Sequence, residues 1–267
     1  PMTNATITAS LVNELRQRTS SGMMECKKAL TEANGDIEKA IEILRIKGQM
    51  SAAKRSDRTA KEGFVITKRS PDCKQAAMVQ LNCETDFVAR NENFQAFANT
   101  IVDAVLKSKS EDTAIFNDQV TQMSATIGEK IEIGLIAYRS VSNGIIQPYI
   151  HPGAKLGVLL LLDPASATDA EAAKDVAMQI AAAAPLYVRP EEVPGDARDK
   201  ELAVIKETLR AEGKKEEMLA KIAEGKINKF YTDVCLLKQA FVKNPDVSVE
   251  KYLATAAPQA TVSGFVR

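Results

Sequence analysis

Few residues in this 267-residue chain are equipped for bond chemistry, and their spacing narrows the choice further. The four cysteines, Cys26, Cys73, Cys83 and Cys235, form no CxxC pair, and His151 is the only histidine, so no metal site is expected. His151 stands in His151-Pro152-Gly153-Ala154-Lys155-Leu156-Gly157, at the mouth of an apolar strand and far in sequence from any cysteine that would serve as its nucleophile. A lone loop histidine of this kind reads as a structural or interface residue, with triad catalysis the lesser alternative. The Gly213-Lys214 and Gly225-Lys226 pairs lack the earlier glycine of a GxxxxGK phosphate loop, so nucleotide hydrolysis is not expected.

A different chemistry is offered by Gln80-Leu81-Asn82-Cys83-Glu84-Thr85-Asp86-Phe87-Val88-Ala89-Arg90. Here an apolar strand runs into polar residues and then presents an acid beside an aromatic. Thr85 is placed to cap a following helical turn, with Asp86 in that first turn complementing the helix dipole. On the plain reading Phe87 then belongs to the core. On the sharper one it is a protruding wedge that fills a partner's pocket, with Asp86 as its charged companion.

Composition excludes several classes around this segment. Lys+Arg and Asp+Glu tie at 35, which leaves no net field to gather a polyanion. Aromatics are 5% of the chain and Trp is absent, so a stacking platform for bases or sugars must be small. The longest apolar run, Leu156 to Leu162, is far shorter than the ~20 residues of a membrane span. It reads as a buried strand. No leader-like segment stands at the N-terminus, so a reducing cytosol is expected, bacterial rather than organellar.

The elements that would position these residues fall into four parts. Residues 1–50 read as three helices: one with Ile7, Leu11 and Leu15 on a face after a Thr6 cap, one over 24–33 stopped by Asn34-Gly35, and one capped by Asp36 that finishes before Gly48. The polar, basic stretch 51–61 reads as a linker, and RNA contact through it is the minority reading in the absence of interleaved aromatics. A strand, turn, strand and amphipathic helix then occur twice. The first copy, over 62–140, places Phe94, Phe97, Ile101 and Val105 on its helix. The second, over 141–190, is introduced by Leu135-Ile136-Ala137-Tyr138 and contains strands near 145–150 and 156–162 and a helix over 168–184. Residues 191–232 carry one stripe of Leu202, Ile205 and Leu209 and another of Met218, Ile222, Ile227 and Tyr231, the pattern of an antiparallel helical hairpin. Residues 233–267 return to the second core half with a closing strand over 261–266. The fold class expected is α+β, with a duplicated sheet-plus-helix core.

Two stretches are similar to the signatures of the translation elongation factor Ts family, the exchange factors of elongation factor Tu. One is Leu15-Arg16-Gln17-Arg18-Thr19-Ser20-Ser21-Gly22-Met23-Met24-Glu25-Cys26-Lys27-Lys28-Ala29-Leu30, and the other is Asn82-Cys83-Glu84-Thr85-Asp86-Phe87-Val88-Ala89-Arg90. His151 to Leu160 and Glu212 to Phe230 resemble the family's second core half and its coiled-coil hairpin. The resemblance implies an N-terminal module like ubiquitin-associated domains, a duplicated antiparallel core, and a hairpin inserted in its second half.

It also implies a function: binding elongation factor Tu in its GDP form, intruding near the magnesium and phosphate site, and promoting GDP release. Asp86 and Phe87 would form the wedge, joined at the interface by Asn82, Thr85, Val88, His151 and Gly153, while Arg16, Met23 and Met24 touch the nucleotide-binding domain. No enzyme activity, no cofactor, no metal, no direct nucleotide binding and no membrane contact would be required of this chain. Two copies are allowed to associate within the complex. The competing reading is an interaction adaptor whose three-helix module binds ubiquitin-like or peptide ligands. A third, weaker still, is an enzyme with His151 as base.

Overall fold

The computed structural model describes residues 6–267, and residues 1–5, the start of the N-terminal module, lie outside the described residues. The module consists of α1 (Ala9–Thr19), α2 (Met23–Glu32) and α3 (Ile37–Arg55). Thr8 rather than Thr6 caps α1, accepting from the Leu11 amide at 3.1 Å. Asp36 caps α3, and Asn34 and Gly35 turn the chain before it at φ of 52° and 81°. Val12, Leu15, Cys26, Leu30, Ala40 and Leu44 close a small core between the three helices.

Next comes a sheet of β1 (Glu62–Arg69), β2 (Gln75–Cys83) and β3 (Glu132–Ser140), in the order β1-β2-β3. Between β2 and β3 lie the single turn α4 (Asp86–Ala89), α5 (Glu92–Ser108) and α6 (Asn117–Ile127). Phe94, Phe97, Ile101 and Val105 of α5 are buried with Val79 and Leu81 of β2, a helix stripe meeting alternate strand residues. The segment Leu135–Tyr138 is a correction to the sequence reading. It is part of β3 in this first sheet, with Ile136 in the same core, and does not open the second copy. The helix before it, α6, buries Gln122, Met123 and Ser124 and so carries no apolar stripe in its sequence.

A second correction concerns α3, which passes Gly48 and runs to Arg55, so that about half of the expected linker is helical. Gly48 sits inside the helix, where its lack of a side chain admits a neighbour. A Cβ there would meet Nε2 of Gln122, on α6, at 2.6 Å. The same Gln122 amide donates to the Leu44 carbonyl at 2.6 Å and its oxygen accepts from Ser21 Oγ at 2.8 Å. The helix-propensity cost of a glycine, about 1 kcal/mol against alanine, is offset by this close approach.

The second sheet is β4 (Ile145–Ile150) and β5 (Gly157–Leu162), antiparallel with Ile145 opposite Leu162. The chain continues through α7 (Ala170–Ala183), α8 (Gly195–Ala211), α9 (Leu219–Val234), the short β6 (Ala240–Phe241) and β7 (Asn244–Ser248), α10 (Val249–Ala256) and β8 (Val262–Val266). The last strand pairs with β5, Leu160 opposite Phe265, and completes the order β4-β5-β8. Val176, Ala177 and Ile180 of α7 pack on Val158, Leu160 and Leu162 of β5. In the hairpin, Leu202 packs with Ala223 and Ile227, while Met218 is half exposed. The buried stripe of α9 is thus Leu219, Ala223 and Ile227, in place of the expected one through Met218 and Ile222.

The duplication has a geometric signature in two glycines. A Cβ on Gly63 would lie 2.1 Å from the Leu81 carbonyl oxygen, and one on Gly144 would lie 1.8 Å from that of Leu162. In each half the glycine precedes its contact by the same 18 positions. Only glycine allows the first strand to approach the end of the central strand so closely.

The chain forms two compact units. One holds the helical module through Lys68, with Ala77–Tyr138 and Gly153–Lys155; the other holds Arg69–Ala76, Arg139–Pro152 and Leu156–Arg267. The N-terminal module therefore shares a unit with the first core half, and the hairpin shares one with the second. Among the described residues, no helix is long and apolar enough to cross a membrane.

Candidate partner-binding site

The exit of the central strand β2 builds the site. Thr85 has extended backbone and accepts from the Val88 amide at 3.3 Å, which caps α4 and places Asp86 in its first turn. Asn91 then caps α5 through the amides of Asn93 and Phe94. Two caps six residues apart leave room for one isolated helical turn between strand and helix. Such a turn has too few residues to bury both ends of its surface. Val88 packs toward the core around Phe94, and Phe87 points the other way, 81% exposed.

Of the two readings of this segment, each therefore describes part of it. Thr85 does cap the turn. Phe87 is outside the core.

The turn is held from beneath by Glu129, immediately after α6. One of its carboxylate oxygens accepts from the backbone amides of Glu84 and Thr85, both at 3.1 Å, and the other accepts from the Thr85 hydroxyl at 2.8 Å. In return the Glu84 carboxylate accepts from the Lys130 amide at 2.6 Å and pairs with Arg58 at 3.3 Å. The Lys130 amide, and secondarily Arg58, hold the Glu84 carboxyl below its ordinary value. Burial, reinforced by the nearby Glu129, raises the Cys83 thiol to about 11, so Cys83 is a packed, protonated side chain and no nucleophile.

Asp86 is exposed and pairs with Arg90 one turn on. Beside it, a shallow cleft of about 260 Å³ runs between β1, α4 and the segment Gly153–Lys155, lined among others by Glu62, Asp86, Arg90 and Lys155. Lys155 pairs with Glu62 at 2.7 Å, and this pairing, with Asp86 adding to it, raises the lysine above its ordinary value. The Ala154 carbonyl accepts from the Val65 amide at 2.7 Å, which ties this segment to β1. Gly153 and Ala154 turn there at φ of 94° and 55°. Asn82 is half-buried near the end of β2.

In the same unit, Arg16, Met23 and Met24 are exposed at the α1–α2 corner, with the methionines at the start of α2. Exposed methionines are adaptable apolar contacts. His151 belongs to the other unit; it is exposed, with its Nδ1 3.1 Å from the Tyr149 hydroxyl and its amide bonded to the Leu156 carbonyl at 2.9 Å. Sequence reasoning missed Glu129, Lys130 and Gln122. The one legible signal was Gly128-Glu129, a helix stop followed by an acid, which has no meaning until α6 is recognised.

The arrangement is that of an α+β protein with an exposed phenylalanine on a clamped turn. A family model described as Elongation factor TS matches residues 84–267. Elongation factor Ts of Clostridium botulinum (strain Alaska E43 / Type E3) is 44% identical, the match covering 98% of this chain and 92% of that protein. Elongation factor Ts of Clostridium perfringens (strain SM101 / Type A) is 42% identical over the same shares. The chain belongs to the elongation factor Ts family, among the factors of protein biosynthesis.

Proposed function

We propose that this chain is the nucleotide-exchange factor of elongation factor Tu, binding its GDP form, displacing GDP and freeing it to load GTP in the cytoplasm of a bacterium. The observation that carries the reading is Phe87, a large aromatic ring held 81% exposed on a turn fixed by the Thr85 cap and by Glu129. An aromatic ring held on a clamped turn beside a charged side chain has the form of an anchor that fills a partner's pocket.

Exchange requires no bond chemistry, only tighter binding to the empty GTPase than to the GDP-bound one. By linkage, GDP then weakens this chain's binding by the factor by which this chain weakens GDP. A hundredfold effect is about 2.7 kcal/mol. Burying one phenylalanine ring supplies roughly 1.5–3 kcal/mol, so Phe87 alone is of the right order. Its entry shifts the elements that hold the partner's magnesium and diphosphate, and Asp86 assists by charge or a hydrogen bond. Asn82, Thr85 and Val88 shape the turn and border the contact. Arg16, Met23 and Met24 grip the nucleotide-binding domain, and His151 and Gly153 extend the interface. The GDP and magnesium acted upon are the partner's; this chain holds no cofactor and turns over no substrate.

The test is co-elution with nucleotide-free elongation factor Tu in size-exclusion chromatography, with the mass of the complex giving its stoichiometry. A complex that forms without nucleotide and dissociates in excess GDP is expected. No complex, or one indifferent to GDP, contradicts the proposal.

A further inference from the structure

We infer that Glu129 is the positioning residue of this turn: its carboxylate sets the backbone of Glu84 and Thr85, and so the direction in which Phe87 projects. The inference rests on the reading of Phe87 given above. Glu129 lies 44 and 45 residues from the two amides it binds, so the bonds are tertiary and not a local cap. It is itself anchored. Gly128 ends α6 at φ 84°, its amide on the Ser124 carbonyl, and the Ser124 hydroxyl donates to the Glu129 carbonyl at 2.6 Å.

The Thr85 hydroxyl does two things at once: it donates to Glu129 and accepts from the Val88 amide. Its rotamer is thereby fixed, and with it the first turn of α4. The reciprocal bond from the Lys130 amide to Glu84 closes a clasp between residues 84–85 and 129–130. Removing the Glu129 carboxylate strands two amides and frees that hydroxyl. Because Glu84 and Thr85 are only half-buried, water reaches the stranded groups, and the core around Phe94 is not touched. What is lost is the aim of the turn. Glutamine in its place keeps the clasp: its amide oxygen accepts both N–H groups, and its NH₂ donates to a Thr85 hydroxyl turned the other way.

The experiment measures release of fluorescent GDP from elongation factor Tu by the wild-type chain, Glu129→Ala, Glu129→Gln, Phe87→Ala and the double variant Phe87→Ala/Glu129→Ala, with backbone hydrogen exchange as a second readout. Glu129→Ala is expected to slow release about tenfold and Glu129→Gln to stay within about twofold of wild type. In the Phe87→Ala background the further loss of Glu129 should add nothing, because the ring it aims is gone. The amides of Glu84 and Thr85 should exchange faster in Glu129→Ala and not in Glu129→Gln. A Glu129→Ala chain as active as wild type while Phe87→Ala is impaired overturns the inference and leaves the functional reading standing. Additive losses in the double variant also overturn it, since they mark a general structural fastener. If Phe87→Ala is itself as fast as wild type, the assignment of Phe87 as the wedge fails and the inference falls with it; if the wild-type chain does not accelerate release at all, the exchange reading itself fails.

Discussion

After their central strands, the two core halves diverge. Leaving β2, the chain uses residues 84–91 for a clasped turn that keeps Phe87 in solvent. Leaving β5, it uses Asp163-Pro164-Ala165-Ser166-Ala167-Thr168-Asp169, which contains no large apolar side chain and closes on itself, the Ser166 amide donating to Asp169 at 2.9 Å. Up to that point the halves agree, down to the glycine that lets each first strand touch the end of its central strand. The difference teaches that the repeated frame supplies rigidity, and that the feature we assign to function is an elaboration at one of its two equivalent exits.

The frame is where substitution should do most damage, and equally in both halves. Gly63→Ala and Gly144→Ala each drive a Cβ into a backbone carbonyl, and each is expected to cost about 3 kcal/mol or more in chemical denaturation. A large effect in one half and a negligible one in the other would break the equivalence. Within the first half, two phenylalanines seven positions apart should separate cleanly. Phe94 is fully buried and its truncation to alanine should cost about 3–5 kcal/mol. Phe87→Ala should change stability by no more than about 0.5 kcal/mol, because the ring is already in water.

The smallest expected effect is on the clasp's pH dependence. The Glu84 carboxyl is lowered from 4.5, chiefly by the Lys130 amide. A lowered native value means stability that is present above the unfolded value and lost as pH falls through the native one. Glu84→Gln should therefore flatten the acid limb of the stability curve below about pH 4.5 and leave its shape between pH 7 and 9 unchanged. An acid limb of the same steepness would show that the bond adds nothing to the turn.

Much of this fold was legible because its signals are local. The Asn34-Gly35 stop, the Asp36 and Thr85 caps, the run Leu156 to Leu162 and the stripe Leu202–Ile205–Leu209 each act within a few residues. What was illegible depends on partners distant in sequence. Gly48 lies within α3 as the point where Gln122 packs against the helix, and a single sequence reads that glycine as an end. Leu135–Tyr138 lies within the bounds expected for the first half but reads as the opening of the second repeat, because the pairing of β3 with the first sheet is not written in its own residues. At the site, Asp86 and Phe87 stood out by type, yet whether the ring was core or exposed hung on two caps and on Glu129, more than forty residues away.

The central claim is that Phe87 works on the partner and not on its own fold. Stopped-flow release of fluorescent GDP from elongation factor Tu, run beside thermal melts of the same samples, tests this most directly. The account predicts that the wild-type chain accelerates release, that Phe87→Ala loses at least about tenfold of that acceleration, and that the two melt together. A Phe87→Ala chain that accelerates release as well as the wild type would contradict it.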